Sequence, residues 1–188
     1  MARVKTFDQE EAVKKAMDLF WEKGYESTSL VDLTQHLGIG KGSFYLTFKS
    51  KENLFNQCIE RYTDSNFPFL DQALASEPDY KKGIEKLLEG YVDGLLRDEK
   101  RKGCFMANSC SLVHGDETSL AIKINEHYIR IENYFTNFLE KQGVKKAKAK
   151  SVSALIVTFL IGASHQSKIN RDKSNYSSTV ENIIRLLD

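Results

Sequence analysis

The segment that most constrains the fold is residues 28–55, where two short amphipathic helices are predicted on either side of a glycine-containing turn. Ser29 and Asp32 have the spacing of a capping box, in which each side chain bonds the backbone amide of the other residue. Gly38 can adopt the left-handed conformation that ends a helix, and a second helix is predicted to begin at Lys41. The pattern therefore predicts a helix-turn-helix, a motif whose second helix enters the major groove of DNA.

The second helix of this motif has two distinct faces. Phe44 and Phe48 lie one turn apart, so both are predicted to face inward as core residues rather than readers of DNA. The side chains left on the outer face are short donors, a lysine and an aromatic hydroxyl, which are Lys41, Ser43, Tyr45 and Thr47.

The same segment resembles the DNA-reading half of the TetR (tetracycline repressor) family of one-component regulators. The signature of that family is Gly-x-x-Lys-Gly-Ser/Thr-Phe/Leu-Tyr-x-x-Phe-x-Ser/Lys-Lys-Glu-x-Leu. It is matched by Gly38, Lys41, Gly42, Ser43, Phe44, Tyr45, Phe48, Ser50, Lys51, Glu52 and Leu54. Residues 20–30, FWEKGYESTSL, also match, so the resemblance covers roughly residues 7–60. It implies an all-α fold, with an N-terminal three-helix helix-turn-helix head at 1–50 and a larger helical ligand-binding and dimerisation body at 51–188.

Charge is balanced over the chain but not along it. The sequence has 27 Lys and Arg against 26 Asp and Glu, which excludes a polycation that coats DNA indiscriminately. Residues 33–51 nevertheless contain Lys41, Lys49 and Lys51 and no acid, and Arg3 and Lys5 precede the first predicted helix. A local basic face on a neutral protein suits selective binding to one DNA site.

Composition also predicts where the protein works. Three cysteines without paired spacing indicate a reducing compartment. The N-terminus is charged and lacks the apolar run of a signal peptide. The longest apolar stretch, residues 154–163, is too short to cross a bilayer. A cytoplasmic location without membrane contact is expected.

Helical periodicity and only two prolines, with no alternating strand pattern, predict an all-helical chain. Beyond the head we expect helices at about 51–75, 78–96, 104–113, 116–139 and 145–169, and a last helix that carries Tyr176 to Leu187. Pro68 is expected to kink or break the first of these. The last two helices have apolar stripes beside Gly162 and Ala163, which suit either the monomer core or packing against a second copy. The TetR resemblance favours a homodimer.

The resemblance also assigns DNA contacts, residue by residue. Thr28 and Ser29 would hold phosphate at a helix N-terminus. Lys41, Gly42 and Ser43 would open the recognition helix, with lysine donating to guanine. Tyr45, Thr47 and Lys51 would contact phosphates. Three alternatives stay open: Ser29 as a cap alone, Gly42 as a relief of packing, and Lys49 as solvated surface.

Family members bind an inducer inside the body, and aromatic residues form the predicted lining here. They are Phe67, Phe69, Tyr91, Phe105, Tyr128 and Phe135. Such a stripe is also typical of an ordinary core. If these side chains do line a site, they suit a planar or amphipathic organic compound.

Cys104 is a candidate sensor of electrophiles or oxidants. It is predicted to start a helix beside Lys100, Arg101 and Lys102, and both features lower the pKa of a thiol. The segments GCFMANS at 103–109 and GASHQSKINR at 162–171 resemble the NemR-type subgroup, which responds to electrophiles and oxidants through a cysteine. That resemblance adds Lys168 to the candidate sensing residues. The alternative role of Cys104 is a small buried apolar residue, which is also the role expected for Cys58 and Cys110.

Other classes of protein find no support in the sequence. The four histidines lack the spacing of a helical metal pair, and there is no Cys-x-x-Cys, glycine-rich phosphate loop or nucleophile elbow. No enzyme activity, metal or cofactor is predicted. The sequence predicts a dimeric regulator, released as a repressor from a palindromic operator in double-stranded DNA by a small organic inducer or by electrophile or oxidant modification of Cys104. The alternative is a ligand-binding sensor that activates transcription or has lost operator binding.

Overall fold

The computed structural model describes residues 7–112 and 119–188, and within these ranges the regular structure is helical without any strand. This confirms the predicted all-α class. The helices are α1 Gln9–Lys23, α2 Leu30–Leu37, α3 Lys41–Phe48, α4 Lys51–Ala75, α5 Tyr80–Arg97, α6 Phe105–Ser109, α7 Ser119–Lys141, α8 Lys146–Gln166 and α9 Ser174–Arg185. A short 3-10 turn, Cys110–Leu112, follows α6.

Local signals explain where the head helices begin and end. Ser29 and Asp32 form the predicted capping box, because the Asp32 amide donates to Ser29 Oγ at 3.1 Å and the Ser29 amide donates to Asp32 Oδ2 at 2.8 Å. Gly38 ends α2 with φ of 67°, a left-handed conformation that glycine adopts without a Cβ clash. Asp8 caps α1 and Ser50 caps α4. The tight turn between α2 and α3 is therefore encoded in the sequence itself.

The core of the head is aromatic and includes the first turns of α4. Phe20 of α1 meets Phe55 of α4 edge-to-face, with ring centroids 5.0 Å apart. Cys58 Sγ of α4 donates to the backbone oxygen of Val13 at 3.5 Å. The packing of the head thus extends past the predicted boundary at residue 50, and the start of α4 belongs to both parts.

Short helix α6 and the residues before it pack against the head. Phe105 is buried, and its ring lies 5.5 Å from that of Phe55 and 5.6 Å from that of Tyr62. The indole Nε1 of Trp21 donates to the backbone oxygen of Gly103 at 3.0 Å. These contacts join α1 and α4 to the segment that leads into α6.

The body packs α5, α7, α8, α9 and the second half of α4 around one apolar core. Helix α8 is long and apolar enough to cross a membrane by length and composition alone. In this fold, 44% of its most apolar window is buried inside the protein. Its apolar character is therefore that of a helix packed against α5, α7 and α9.

Several predicted boundaries differ from the observed ones. Helix α4 continues through Pro68, so the predicted break is wrong. Proline removes one backbone donor, but Pro68 and Asp64, one turn earlier, are both exposed, so water can bond the released carbonyl. Helix α5 starts at Tyr80 because Asp79, rather than Pro78, supplies the cap. The predicted start of the seventh helix at 116 lies outside the described residues, and the eighth helix ends at Gln166 rather than near 169.

Candidate nucleic-acid interface and body cavity

Helix α3 presents a compact polar face because its two phenylalanines anchor it to the head. Phe44 and Phe48 are fully buried, with ring centroids 5.4 Å apart, so their predicted core role is confirmed. Their burial leaves the opposite face exposed, with Lys41, Gly42, Ser43, Tyr45 and Leu46 in the open. The helix carries no acidic side chain. Its surface is suited to approach a polyanion.

The N-terminus of α3 is open to a ligand. No side chain caps it, because Gly40 occupies the cap position. A Cβ added to Gly42 would meet no atom within 4 Å, so the alternative that this glycine relieves packing is wrong. Lys41 and Ser43 are exposed beside it. Free backbone amides, a lysine and a hydroxyl can together receive a phosphate or a base edge.

Lys51 and Thr47 lie at the edge of the same surface. The Lys51 Nζ atom sits 4.2 Å from the centroid of the Tyr25 ring, an arrangement that holds the ammonium group against an aromatic face. Partial burial lowers the pKa of Lys51, while Glu26 acts in the opposite direction. Thr47 is half-buried. Lys51 is therefore a pre-positioned cation at the start of α4.

Two hydroxyls predicted to hold phosphate are engaged inside the protein. Thr28 is fully buried and its Oγ1 donates to the Gly24 backbone oxygen at 2.6 Å, so the prediction that its hydroxyl contacts DNA is wrong. Ser29 stays exposed, but its hydroxyl accepts from the Asp32 amide and donates to the Asp32 carboxylate at 2.6 Å. An ion pair with Lys23 and these bonds from Ser29 keep the pKa of Asp32 well below its usual range. The structure shows Ser29 as a cap.

Three further side chains at this surface have features that the sequence did not predict. Leu46 of α3 is 72% exposed and Val31 of α2 is 62% exposed. Such apolar side chains can contact the methyl group of thymine. Their position on the outward side of each predicted helix is the sequence feature that could have identified them. Lys49 is exposed, in agreement with the alternative of solvated surface, and its Nζ also donates to the Leu46 backbone oxygen at 2.9 Å at the end of α3. Arg3 and Lys5 lie outside the described residues.

The body contains a cavity between α4, α5, α6, α7 and α8, which we call the body cavity. The empty space at this site, counted outward into the solvent at its mouth, is about 630 Å³. Its lining consists of Tyr62, Asn66, Phe69, Leu70, Leu87, Tyr91, Cys104, Ala107, His127, Tyr128, Ile131, Val157, Leu160 and Ile161. None of these is a lysine, arginine, aspartate or glutamate, so the wall offers apolar surface and neutral polar groups.

Neutral hydroxyls supply most of the polarity of the body cavity. The Tyr91 hydroxyl donates to the Leu160 backbone oxygen at 3.1 Å, and the Tyr62 hydroxyl lies 3.2 Å from the Cys104 Sγ atom. The Tyr128 hydroxyl accepts from Cys110 Sγ at 3.5 Å. Burial raises the pKa of all three tyrosines, so they remain protonated phenols at neutral pH.

His127 adds a neutral imidazole to this wall. Its Nδ1 atom lies 2.9 Å from the hydroxyl of Thr63, and both side chains are buried. Burial, with a smaller contribution from the charge of Arg130, lowers the pKa of His127 to about 4. At neutral pH the ring is therefore uncharged, with one nitrogen able to donate and one able to accept.

A surface groove lies next to the body cavity. It is bounded by Gly90 and Gly94 on α5, where a Cβ would meet no atom within 4 Å, and it shares four lining residues with the cavity. These are Tyr62, Phe69, Tyr91 and Cys104. Gly90 and Gly94 place no side chain on this face of α5, and Cys104 lines both the groove and the cavity.

The structure brings only some of the predicted lining together. Tyr91, Tyr128, Phe69 and Cys104 lie in the wall. Phe135 is instead fully buried in the body core, and Phe105 is buried between head and body. Phe67 packs on Tyr134, with the Arg130 guanidinium 4.8 Å from its ring. Lys168 also lies outside the lining, because its Nζ donates to Asn108 Oδ1 on another side of α6.

The three cations next to Cys104 in sequence are engaged elsewhere. Lys100 forms an ion pair with Glu22 at 2.8 Å, and the Nζ of Lys102 lies 4.7 Å from the centroid of the Trp21 ring. Arg101 donates to the Lys168 backbone oxygen at 3.2 Å. These contacts do not reproduce the predicted arrangement in which the cations surround the thiol.

An exposed helix of this kind, joined through one long helix to a helical body, is the arrangement of a DNA-binding regulator. Residues 12–58 match the family model described as bacterial regulatory proteins of the tetR family. Residues 81–179 match the C-terminal domain of LmrA/YxaF-like transcriptional regulators. The chain belongs to the TetR family and is a DNA-binding transcriptional regulator, not an enzyme.

Curated relatives agree with this assignment. The HTH-type transcriptional repressor ComR of Escherichia coli (strain K12) is 33% identical over 141 residues, which cover 73% of this chain and 66% of ComR. The uncharacterized HTH-type transcriptional regulator YezE of Bacillus subtilis (strain 168) is 30% identical over 158 residues, which cover 82% of this chain and 81% of YezE.

Solved structures are similar over nearly the whole chain. A triple cysteine mutant of the TetR-family regulator CifR, complexed with 26-bp double-strand operator DNA, is 25% identical with a TM-score of 0.80, and the match covers 98% of both chains. The reduced form of E. coli NemR has a TM-score of 0.73 and 19% identity, covering 95% of this chain and 94% of NemR. The likeness to NemR is one of fold.

Replacing the two candidate DNA-contacting lysines should affect DNA binding in different ways. Lys41→Ala is expected to weaken binding and change base preference, because a base contact is lost. Lys51→Ala should weaken binding evenly across sequences and reduce the salt dependence by about one unit of slope, because a phosphate contact is lost. Fluorescence anisotropy at several salt concentrations, on duplexes that the wild-type protein selects from a random pool, measures both effects. Lys82→Ala, an exposed position on α5, is the control, and unchanged affinity in both test variants would remove these lysines from the interface.

The stability of the protein should fall between pH 7 and pH 5 because of His127. In the unfolded chain this histidine takes up a proton below about pH 6.5, whereas in the folded protein its pKa is about 4. Across that window the unfolded state binds more protons, so the free energy of unfolding decreases with falling pH, by about 2 kcal/mol at pH 5. Urea denaturation should show a smaller loss for His127→Gln than for wild type. His165→Gln, at an exposed site, should behave as wild type, and an equal loss in all three proteins would contradict the assignment.

Proposed function

We propose that this regulator is a homodimeric repressor that leaves a palindromic operator when a small, uncharged organic ligand binds in the body cavity. The observation that carries the proposal is that one helix, α4, lines the body cavity with Tyr62 and Asn66 and begins at the DNA-facing surface with Lys51. The names of ComR, a transcriptional repressor, and of CifR bound to operator DNA support the direction of this activity. The same activity suggests a cytoplasmic location, where the chromosome is found.

The chemistry of the wall favours an uncharged ligand. Its lining has no ionisable lysine, arginine or carboxylate, and burying an unpaired charge in such a site is strongly unfavourable. Tyr91 and Tyr128 provide phenolic hydroxyls and His127 provides a neutral ring nitrogen for orientation. A planar or amphipathic compound with one or two hydroxyl or carbonyl groups fits these donors and the aromatic surface.

Helix α4 provides the connection between ligand and DNA. Tyr62 follows Lys51 by eleven positions, which is about 16.5 Å along a helix. Phe55 lies between them and packs against Phe20 in the head. A ligand that displaces the wall of the cavity therefore displaces the head as well. To clear an operator, it must favour the released state by about 5 kcal/mol.

Dimerisation would follow from both the reading of DNA and the surface of the body. Recognition helix α3 has eight residues and can reach only a few base pairs, so two heads about 34 Å apart would be needed to read a palindrome. Leu155 and Gly162 on α8 are exposed, as is Leu186 at the end of α9. Apolar side chains beside an exposed glycine allow close approach of a second copy.

The dimer is tested by charging this surface. Leu155→Glu combined with Leu186→Glu should convert a dimer into a monomer and lower operator affinity at least tenfold, because two heads would no longer bind together. Sedimentation equilibrium and anisotropy on the selected duplex measure the two effects. Ile129→Glu, at an exposed position on α7, is the matched control. A wild-type protein that is monomeric at micromolar concentration, bound or free, would overturn the proposal.

A second route to release is modification of Cys104 by an electrophile, as the NemR-type resemblance implies. The position of this thiol at the boundary between groove and cavity favours the idea, because a reagent that enters the groove reaches it first. Cys58 is fully buried, and burial raises the pKa of its thiol. Cys104 is therefore the thiol expected to react, and Cys58 is a control thiol that the fold protects.

N-ethylmaleimide tests this route, since the sulfur adds to one alkene carbon and a proton is taken up at the other. We expect modification at Cys104 in the folded protein, with loss of binding to the selected duplex. The Cys104→Ser variant should keep its DNA affinity after treatment, whereas Cys58→Ser should lose it as wild type does. Peptide mass mapping and gel shifts measure these results. Full operator affinity after modification at Cys104 would reject the thiol route while leaving regulation by a cavity ligand to be tested separately.

A further inference from the structure

A second cavity lies between the head and the body, separate in chemistry from the first. It is formed by the end of α1, the segment 98–104 that we call the junction loop, helix α6 and Lys168. Its empty space, counted outward into the solvent at its mouth, is about 760 Å³. Its lining consists of Phe20, Trp21, Glu22, Lys23, Gly24, Tyr25, Phe55, Lys100, Arg101, Lys102, Phe105, Asn108, Ser109, Ser111, Leu112 and Lys168. We call this space the junction cavity.

The junction loop is held in a demanding conformation. Arg101 has φ of 52° and Gly103 has φ of 69°, both in the left-handed region that side chains disfavour. A Cβ on Gly103 would lie 2.9 Å from Ser164 Oγ and 3.0 Å from Lys168 Cε, so only glycine fits against the end of α8. The Cys104 amide donates to Ser164 Oγ at 2.7 Å. The loop therefore fixes its side chains relative to Lys168.

Five cations line the junction cavity, against Glu22 as its one lining carboxylate. Two of the five are neutralised, because Lys23 pairs with Asp32 at 2.6 Å and Lys100 pairs with Glu22 at 2.8 Å. The remaining cations are Arg101, Lys102 and Lys168, and within residues 7–112 and 119–188 none of them forms an ion pair with a carboxylate.

The contacts of these three cations are all with neutral groups. Lys168 Nζ donates to the amide oxygen of Asn108, Lys102 Nζ faces the Trp21 ring, and Arg101 donates to a backbone oxygen. The carboxylate of Asp98 accepts from the Lys100 and Lys102 backbone amides at 3.1 and 2.7 Å, so its hydrogen bonds are made with the backbone of the junction loop. Three like charges around one polar cavity repel one another, and an anion between them would remove that repulsion.

We propose that the junction cavity is a binding site for a small oxyanion, a phosphate or carboxylate group, held by Arg101, Lys102 and Lys168. Charge-assisted hydrogen bonds from lysine and arginine are the usual way in which proteins hold such groups. The site differs from the body cavity, whose wall carries no charged side chain. Because it joins α1 of the head to the end of α8, a bound anion links the two parts of the protein directly.

The sequence provides its own reporter for this site. Trp21 is the single tryptophan of the chain, and its indole lies in the lining. DNA-free protein is titrated with inorganic phosphate, pyrophosphate or citrate at constant pH and ionic strength, with chloride as the reference salt. We expect a saturable change in tryptophan emission with at least one of the three anions. Calorimetry should give the same dissociation constant.

Variants connect the response to the named cations. Lys168→Gln should weaken the anion at least tenfold, and Lys168→Arg should retain it because the charge is kept. Lys150→Gln, an exposed position on α8, is the matched control and should bind as wild type. Circular dichroism and thermal unfolding establish whether each variant is folded. If Lys168→Gln does not fold, the test rests on Lys168→Arg.

Three results would overturn the proposal. The first is the lack of any saturable response beyond the chloride reference, and the second is an undiminished response in Lys168→Gln. The third is a loss of affinity for the selected duplex in Lys168→Gln, with no response of wild type to free anions, which would mean that these cations hold DNA phosphates. Because the titration contains no DNA, its outcome does not depend on whether the protein is a dimeric repressor.

Discussion

The packing of Phe105 against Phe55 is the interaction on which the rest of the structure depends. It brings α6 of the body against α4 at the level of the head, with Trp21 of α1 bonded to the adjacent backbone. Without this aromatic contact, α4 and the contacts of Trp21 and Glu22 with the junction loop would be left to join head and body. With it, the head is held from two sides, so the position of the recognition helix depends on the arrangement of body helices around both cavities.

The two cavities have chemically different linings. The body cavity has phenols, a neutral imidazole and a partly exposed thiol in an otherwise apolar wall, whereas the junction cavity has three cations without carboxylate partners among the described residues. Both contact segment 102–108, which leads from the junction loop into α6. A change in this short segment can therefore reach the head through the Trp21 bond, while a change in α4 reaches it directly.

Local sequence was sufficient wherever a structure depends on neighbours in the chain. The capping box at Ser29, the left-handed Gly38 and the inward pair Phe44 and Phe48 were all predictable, because caps and helical periodicity act within a few residues. How deeply each side chain is buried was not predictable in the same way. Periodicity showed that Phe135 faces inward, but not that it lies in the core rather than in the wall of a cavity. The continuity of α4 through Pro68 likewise depended on solvent reaching the released carbonyl.

The sequence by itself determined the class of fold, the exposed polar face of α3 and the membership of a DNA-binding family, since these follow from short-range patterns of caps, turns and apolar spacing. Only the tertiary structure decided that Thr28 is buried and that Lys168 faces Asn108 instead of the body cavity. It also decided that Lys168 lines the same space as Arg101 and Lys102, which lie far from it in the chain. The physical reason is that burial and charge pairing depend on which helices meet. That is set by packing across the whole molecule rather than by any local run of residues.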